Sequence, residues 1–268
     1  MSSSLVNGKL QTLVPANDRA LLYGDGLFET VVFRAGHAPL WPLHWQRFEH
    51  GCQVLGLLCP DPETVLAQCR QLCSATGMSV IRFQLSRGSG GRAYWPDEQA
   101  PPRLFVQGRV WPAEISAVRQ RGLRLHSSSV RLASDSSLAG LKHCNRLEQV
   151  MAARECARAG FDEALLFNGQ GRLVEAIASN LILELDGKLV TPDAGCGVAG
   201  VGLRWIMEQA GLDIQPVSLD SDRVTASTSI VVINSVAGPR MAVELDGRSL
   251  SFSSRCRALQ QLWVDSLW

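Results

Sequence analysis

Three dipeptides in the second half of the chain, Asn168-Gly169, Asp186-Gly187 and Asp246-Gly247, each lie between short apolar runs. Such pairs reach the left-handed backbone that a tight hairpin needs, so this half is expected to be rich in antiparallel strands. The flanking runs place strands near 164–167, 172–176, 180–185, 188–191, 229–233 and 241–245. Helices are expected over 145–159 and over 200–210, the latter closed by Gly211.

The first half follows a different rhythm. Residues 80–85 alternate from Ile81 onward and read as a strand with one buried face. Asp61-Pro62 starts a helix, with Asp as N-cap and Pro at the first helical position. Val65, Leu66, Cys69, Leu72 and Cys73 form its apolar stripe, and Gly77 is expected to end it. A shorter helix is expected over 43–55. Pro101-Pro102 and Trp111-Pro112 flank another strand, and Ala113 to Gln120 lacks periodicity. These signs imply two α+β domains, 1–110 and 120–268, joined by a linker at 111–119. Neither shows the regular strand–helix alternation of a doubly wound parallel sheet.

At 268 residues and 46% hydrophobic, the chain can bury a substantial core. A net charge of +1 provides no field to draw it to nucleic acid or to an anionic membrane. The eight cysteines, at 52, 59, 69, 73, 144, 156, 196 and 256, lack the paired Cys-x-x-Cys spacing of a zinc site. They read as small hydrophobes in a reducing compartment. Met1-Ser2-Ser3-Ser4 has no basic start or apolar run, and Val224 to Gly238 is too short and polar to span a bilayer. A cytoplasmic protein with no metal site is expected.

Only three of the 26 basic residues are lysines: Lys9, Lys142 and Lys188. Arginine cannot form a Schiff base, so amine chemistry has three candidates. Lys142 follows the apolar-rich Leu138-Ala-Gly-Leu, which favours desolvation and a nucleophilic amine; a surface charge is the plainer reading. Glu175 lies in an apolar, strand-like run, where a solvent-facing residue is the ordinary case and a protonated ring nitrogen is an attractive partner. Gly195-Cys-Gly-Val-Ala-Gly-Val-Gly202 leads into the helix at 200–210, and its backbone amides can cradle an anion. Ser86-Arg-Gly-Ser-Gly-Gly-Arg92 follows a strand, but Ala93-Tyr-Trp-Pro-Asp97 does not open a helix, which rejects a dinucleotide site. Its two arginines suit an anionic substrate, and a solvated turn fits the composition equally well.

Together these segments resemble the fold-type IV pyridoxal-phosphate enzymes: branched-chain and D-amino-acid aminotransferases and aminodeoxychorismate lyase. Asp18-Arg-Ala20 with Gly24-Asp-Gly-Leu-Phe-Glu-Thr30 is similar to the family's N-terminal signature, and His44-Trp-Gln-Arg47-Phe48 to its phosphate-binding helix. Glu175 through Asn180-Leu181 and Gly197 through Gly202 resemble the later blocks in order and spacing. Ser86 through Tyr94 and Leu138 through Val150 resemble the lyase branch almost residue for residue. The resemblance covers nearly the whole chain.

The resemblance implies a smaller N-terminal α/β sandwich domain and a larger β-barrel-like C-terminal domain with helices. It implies pyridoxal 5'-phosphate held by Lys142 as an internal aldimine, with Glu175 on the pyridine nitrogen. Arg47, Val201, Gly202, Asn234 and Ser235 would bind the phosphate. The implied activity turns 4-amino-4-deoxychorismate into 4-aminobenzoate and pyruvate for folate biosynthesis. Lys142 would act as base, with Thr30 as a second proton donor. Arg92, Arg87, Arg146 and Tyr94 would hold the substrate. A homodimer is implied, with small molecules as the other partners. The sequence departs from the pattern in two places: Glu29 stands where some lyases carry threonine, and Arg204 falls one place beyond the aminotransferase arginine. Glu29 favours the alternative, an aminotransferase of the same fold. A ligand-binding protein that kept the fold without catalysis is a third reading.

Overall fold

The computed structural model describes residues 4–193 and 195–268; Met1 to Ser3, part of the N-terminal reading, lie outside them. The chain divides into two compact units. One comprises the chain up to Pro112 together with Leu141–Asn145, the other Ala113–Gly140 with Arg146–Trp268.

The first unit runs β1 (Ser4–Val6), β2 (Lys9–Leu10), α1 (Arg19–Tyr23), β3 (Gly26–Arg34), α2 (Trp41–Leu55), α3 (Pro62–Arg70), β4 (Met78–Ser86) and β5 (Arg103–Val110). Its strands form one antiparallel sheet in the order β2-β1-β5-β4-β3. On β4, Ile81, Phe83 and Leu85 are buried, and Arg82 and Gln84 between them are partly exposed, as the alternation predicts. Phe48 of α2 meets Phe83 edge-on at 5.1 Å, a favoured aromatic geometry.

Asp61 caps α3 through the Thr64 amide, with Pro62 in the first turn. The helix stops at Arg70 rather than near Gly77. Ser74 accepts from Gly77 N at 3.1 Å, and Ser79 Oγ accepts from Ser74 N at 2.8 Å. These hydroxyls offer the backbone an alternative to the helical ladder.

Residues 141–145 return to this unit as a short antiparallel strap along β3, with Leu27 opposite His143. Phe28 N donates to Lys142 O at 3.0 Å, and Cys144 N donates to Gly26 O at 3.0 Å.

The second unit runs α4 (Glu114–Arg121), β6 (Leu123–Leu132), α5 (Leu147–Ala159), β7 (Glu163–Asn168), β8 (Leu173–Ala176), β9 (Asn180–Leu185), β10 (Lys188–Pro192), α6 (Val201–Gln209), β11 (Ile214–Val217), α7 (Ser221–Ala226), β12 (Ser229–Asn234), β13 (Gly238–Leu245), β14 (Arg248–Ser249) and α8 (Ser254–Leu267). The segment expected as a linker is therefore largely the helix α4. Its periodicity is weak because Ile115 is its one buried side chain.

The large sheet follows the order β11-β10-β9-β12-β13-β6-β7-β8, with β14 paired to β13. It is antiparallel except where β6 meets β13 and β7, and where β10 meets β11. Leu165, Leu181, Leu183, Ile230 and Val232 lie in its core. Asp186-Gly187 and Asp246-Gly247 turn their hairpins with positive φ at both residues. Asn168-Gly169 works differently: the Asn168 carboxamide oxygen accepts from the amides of Gln170 and Arg172, and Gly171 takes the left-handed conformation. Among the described residues, no helix is long and apolar enough to cross a membrane.

Candidate active site

The strap on β3 fixes where the Lys142 side chain begins. Its Nζ lies 4.6 Å from the Phe28 ring centroid. Phe28 and Thr30 share one face of β3, and Arg82 stands opposite Thr30 in the register of β4. The Arg82 guanidinium is 3.8 Å from the same Phe28 centroid. Arg82, Gln84, Phe105 and Gln107 line a cavity of about 310 Å³ with Asp18 and Ala20. Burial holds the Arg82 guanidinium below the usual arginine range. The sequence reading missed Arg82, although a charged residue between Ile81 and Phe83 in an alternating strand is a visible signal.

Glu29 is 1% exposed and organises α2. Arg47 donates to it through Nε at 2.8 Å and Nη2 at 2.6 Å, a two-pronged pair. His44 Nδ1 lies 2.7 Å from Glu29 Oε2. Burial pushes the Glu29 carboxyl up, but the Arg47 charge and the hydrogen bonds from Arg47 and His44 outweigh it and hold it at about 2. Burial lowers His44, with Arg47 and Lys142 adding to the effect, so its neutral ring donates Nδ1–H to Glu29. Glu29 thus has a structural duty, fixing the arginine expected to bind phosphate.

The loop at 86–94 is fastened by two arginines sharing Asp25. Arg19 and Arg87 each donate through Nε to Asp25 Oδ2 at 2.8 Å. Burial raises the Asp25 carboxyl, and these bonds more than reverse it. Arg87 also donates to the carbonyls of Gly56 and Leu55 at the end of α2. Its guanidinium ties the loop to that helix. Arg19 donates to the Ala93 and Tyr94 carbonyls. Arg92 is exposed, 5.5 Å from the Trp95 ring, and Tyr94 is 78% exposed. Of the expected substrate residues, Arg92 and Tyr94 belong to this unit, and Arg146 stands at the start of α5 in the other.

In the second unit, Glu175 of β8 is 4% exposed, not solvent-facing. Its Oε2 accepts from Val198 N at 2.9 Å. Gly140, two residues before Lys142 in the chain, donates to Gly197 O at 2.8 Å and accepts from Ala199 N at 3.1 Å. Helix α6 begins at Gly200 with no side-chain cap, leaving its first-turn amides for an anion. A Cβ at Gly202 would lie 3.0 Å from the Asn234 carbonyl carbon and 3.2 Å from Ser235 N, so glycine lets the helix approach this turn more closely than a side chain would.

The Asn234 side chain holds the turn together. Its Nδ2 donates to Ala178 O at 3.2 Å and Ser179 Oγ at 3.0 Å, and its Oδ1 accepts from Val236 N at 3.0 Å and Ala237 N at 2.8 Å. These bonds also shape the turn that carries Ser235. Arg204 pairs with Glu208 along the exposed side of α6. Among the described residues no cluster of ligating side chains could hold a metal.

A family model described as amino-transferase class IV matches residues 26–244. Aminodeoxychorismate lyase from Vibrio harveyi is 34% identical over 243 residues, covering 87% of this chain and 90% of that protein. A bifunctional aminodeoxychorismate lyase / D-amino acid transaminase from Mycobacterium tuberculosis is 25% identical over 263 residues, covering 89% and 88%. The crystal structure of 4-amino-4-deoxychorismate lyase from Pseudomonas aeruginosa matches with a TM-score of 0.91 at 37% identity, covering 98% of this chain and 99% of that one.

Proposed function

Because this chain belongs to the amino-transferase class IV family, we propose that it is a pyridoxal-phosphate lyase that converts 4-amino-4-deoxychorismate into 4-aminobenzoate and pyruvate. The observation that carries the chemistry is the strapping of Lys142 onto β3 with its amine at the Phe28 ring. The likeness to two lyases along nearly the whole chain favours this reaction over transamination.

The residues present fit the cofactor. The uncapped start of α6 and the side-chain-free approach at Gly202 suit a phosphate, and the buried Glu175 carboxylate suits a protonated pyridine nitrogen. The amides of Val201 and Gly202, with Ser235 and Arg47, bind the phosphate, and Asn234 holds the turn. Pyridoxal phosphate, when bound, supplies an electron sink.

Lys142 would hold the cofactor through its amine, and that amine, when free, is the base that takes the proton from the substrate carbon bearing nitrogen. The bond from the adjacent ring carbon to the enolpyruvyl oxygen then breaks, and the ring becomes aromatic. Lys142 or Thr30 returns a proton to the methylene carbon of the departing enol, which gives pyruvate. Aromatisation drives the reaction, so the protein mainly has to place one base correctly. The substrate carries two carboxylates. Arg92 and Arg146, with Tyr94, are assigned to them, and Arg82 joins the set because it lines the cavity on the Thr30 side of the sheet. Arg87 is left out because its guanidinium fastens the loop.

The protein is assigned to the cytoplasm as a homodimer. The absence of a disulfide among its eight cysteines in the described residues supports the first assignment. Exposed Leu13, Leu21, Leu22 and Trp95 in the first unit support the second. The aminotransferase reading keeps some support from the bifunctional M. tuberculosis relative. Assaying 4-aminobenzoate formation beside glutamate-dependent transamination separates the two: the lyase reading expects the first to dominate, and transamination without 4-aminobenzoate would overturn it.

A further inference from the structure

Behind the turn at 234–237 lies a buried polar chain that the chemistry above does not use. It begins at Glu163 on β7, whose Oε1 accepts from Ile177 N at 3.0 Å. That bond fixes the turn joining β8 to β9, which delivers Ser179. Ser179 is 6% exposed, and its Oγ accepts from two side chains, Asn234 Nδ2 and Arg240 Nη2, each at 3.0 Å. Arg240, on β13, also has Nη2 4.0 Å from Glu163 Oε2. Asn234 in turn accepts from the amides of Val236 and Ala237. The chain therefore runs from Glu163 through the 177–179 turn and Ser179 to Asn234, with Arg240 bracing Ser179 from the side.

We propose that Arg240 and Ser179 are positioning residues for the phosphate of the bound cofactor, holding through Asn234 the turn on which the start of α6 rests. The proposal builds on the cofactor assignment made above. A carboxamide with both N–H groups and both lone pairs engaged has one orientation, so the turn it holds has one shape. Without the Ser179 hydroxyl or the Arg240 brace, Asn234 has an alternative rotamer and the turn relaxes. An anion cradle loses strength steeply when its donors move by a fraction of an ångström. The change falls on the phosphate alone, because neither residue touches Lys142 or Glu175 through any bond of this chain of contacts.

The test uses the full chain, freed of cofactor, and absorbance titration with two probes, pyridoxal phosphate and pyridoxal, which lacks the phosphate. In Ser179→Ala and Arg240→Met, affinity for pyridoxal phosphate is expected to fall about tenfold and affinity for pyridoxal to change less than about twofold. The discrimination between the probes thus collapses in both variants. A merely structural role would weaken both probes equally. Wild-type discrimination in folded Ser179→Ala would overturn the proposal, and that variant carries the test if Arg240→Met does not fold. Wild type that binds no pyridoxal phosphate would defeat the cofactor assignment and this proposal together; wild-type binding with unchanged discrimination in the variants defeats this proposal alone.

Discussion

Lys142 and Phe28 are joined twice: Phe28 N donates to Lys142 O at 3.0 Å, and Lys142 Nζ lies 4.6 Å from the Phe28 ring. The amide bond sets where the side chain starts, and the ring face limits where its amine rests. A phenyl face favours a neighbouring cation by ~0.5–2 kcal/mol. Phe28→Leu keeps the strap and removes the face. Steady-state kinetics are expected to show kcat about tenfold lower, with stability reduced by less than about 1.5 kcal/mol. An unchanged kcat would remove the ring from the account.

The Glu29 pair has a pH signature. Its folded carboxyl titrates at about 2, below its ordinary 4.5. The stabilisation is therefore complete above the ordinary value and fades as pH falls towards about 2. Glu29→Gln leaves Arg47 buried without its counter-charge and is expected to cost roughly 3 kcal/mol at neutral pH. Urea unfolding at several pH values should show the gap between wild type and variant closing below about 4.5. A gap that stays constant to acid pH would mean that the carboxylate charge does not hold Arg47.

Gly202 tests the cradle. Alanine suits a helix better than glycine by ~0.5–1 kcal/mol, so Gly202→Ala need not destabilise the fold. Its new Cβ, 3.0 Å from the Asn234 carbonyl carbon, makes the contact between α6 and the turn give by a few tenths of an ångström. Affinity for pyridoxal phosphate should fall at least about tenfold by spectroscopic titration. Wild-type affinity would place the phosphate elsewhere.

Arg87 separates fastening from substrate binding. Arg87→Ala removes three bonds that its charged guanidinium makes to Asp25, Leu55 and Gly56. It is expected to lower stability by about 3 kcal/mol and to leave KM within about threefold. A large rise in KM at full stability would return Arg87 to the substrate set.

These residues also show what a sequence can and cannot carry. The Asp61-Pro62 helix start and the two Asp-Gly hairpins are settled by residues a few positions apart, and they stand where the sequence places them. Long-range relations are not written locally. Glu29 reads as a departure from the lyase pattern until His44 and Arg47 are seen around it. Ser128 and Ser129 sit where the β6–β7 register shifts between Ser127 and Arg131, and Glu155, distant in the chain, accepts from both. Asn234 reads from the sequence as a phosphate residue, and only its four bonds reveal that it shapes the turn as well. Helix α8 carries its stripe in Cys256, Leu259, Trp263 and Leu267, and the sequence reading missed it behind serines that resemble a loop.

The central claim is that the Lys142 amine both carries the cofactor and moves the proton. Product analysis with 4-amino-4-deoxychorismate, run on wild type and Lys142→Ala, tests it most directly. Wild type should release 4-aminobenzoate and pyruvate in equal amounts, and the variant should release neither and retain no borohydride-reducible cofactor. Substantial 4-aminobenzoate from Lys142→Ala would contradict the account.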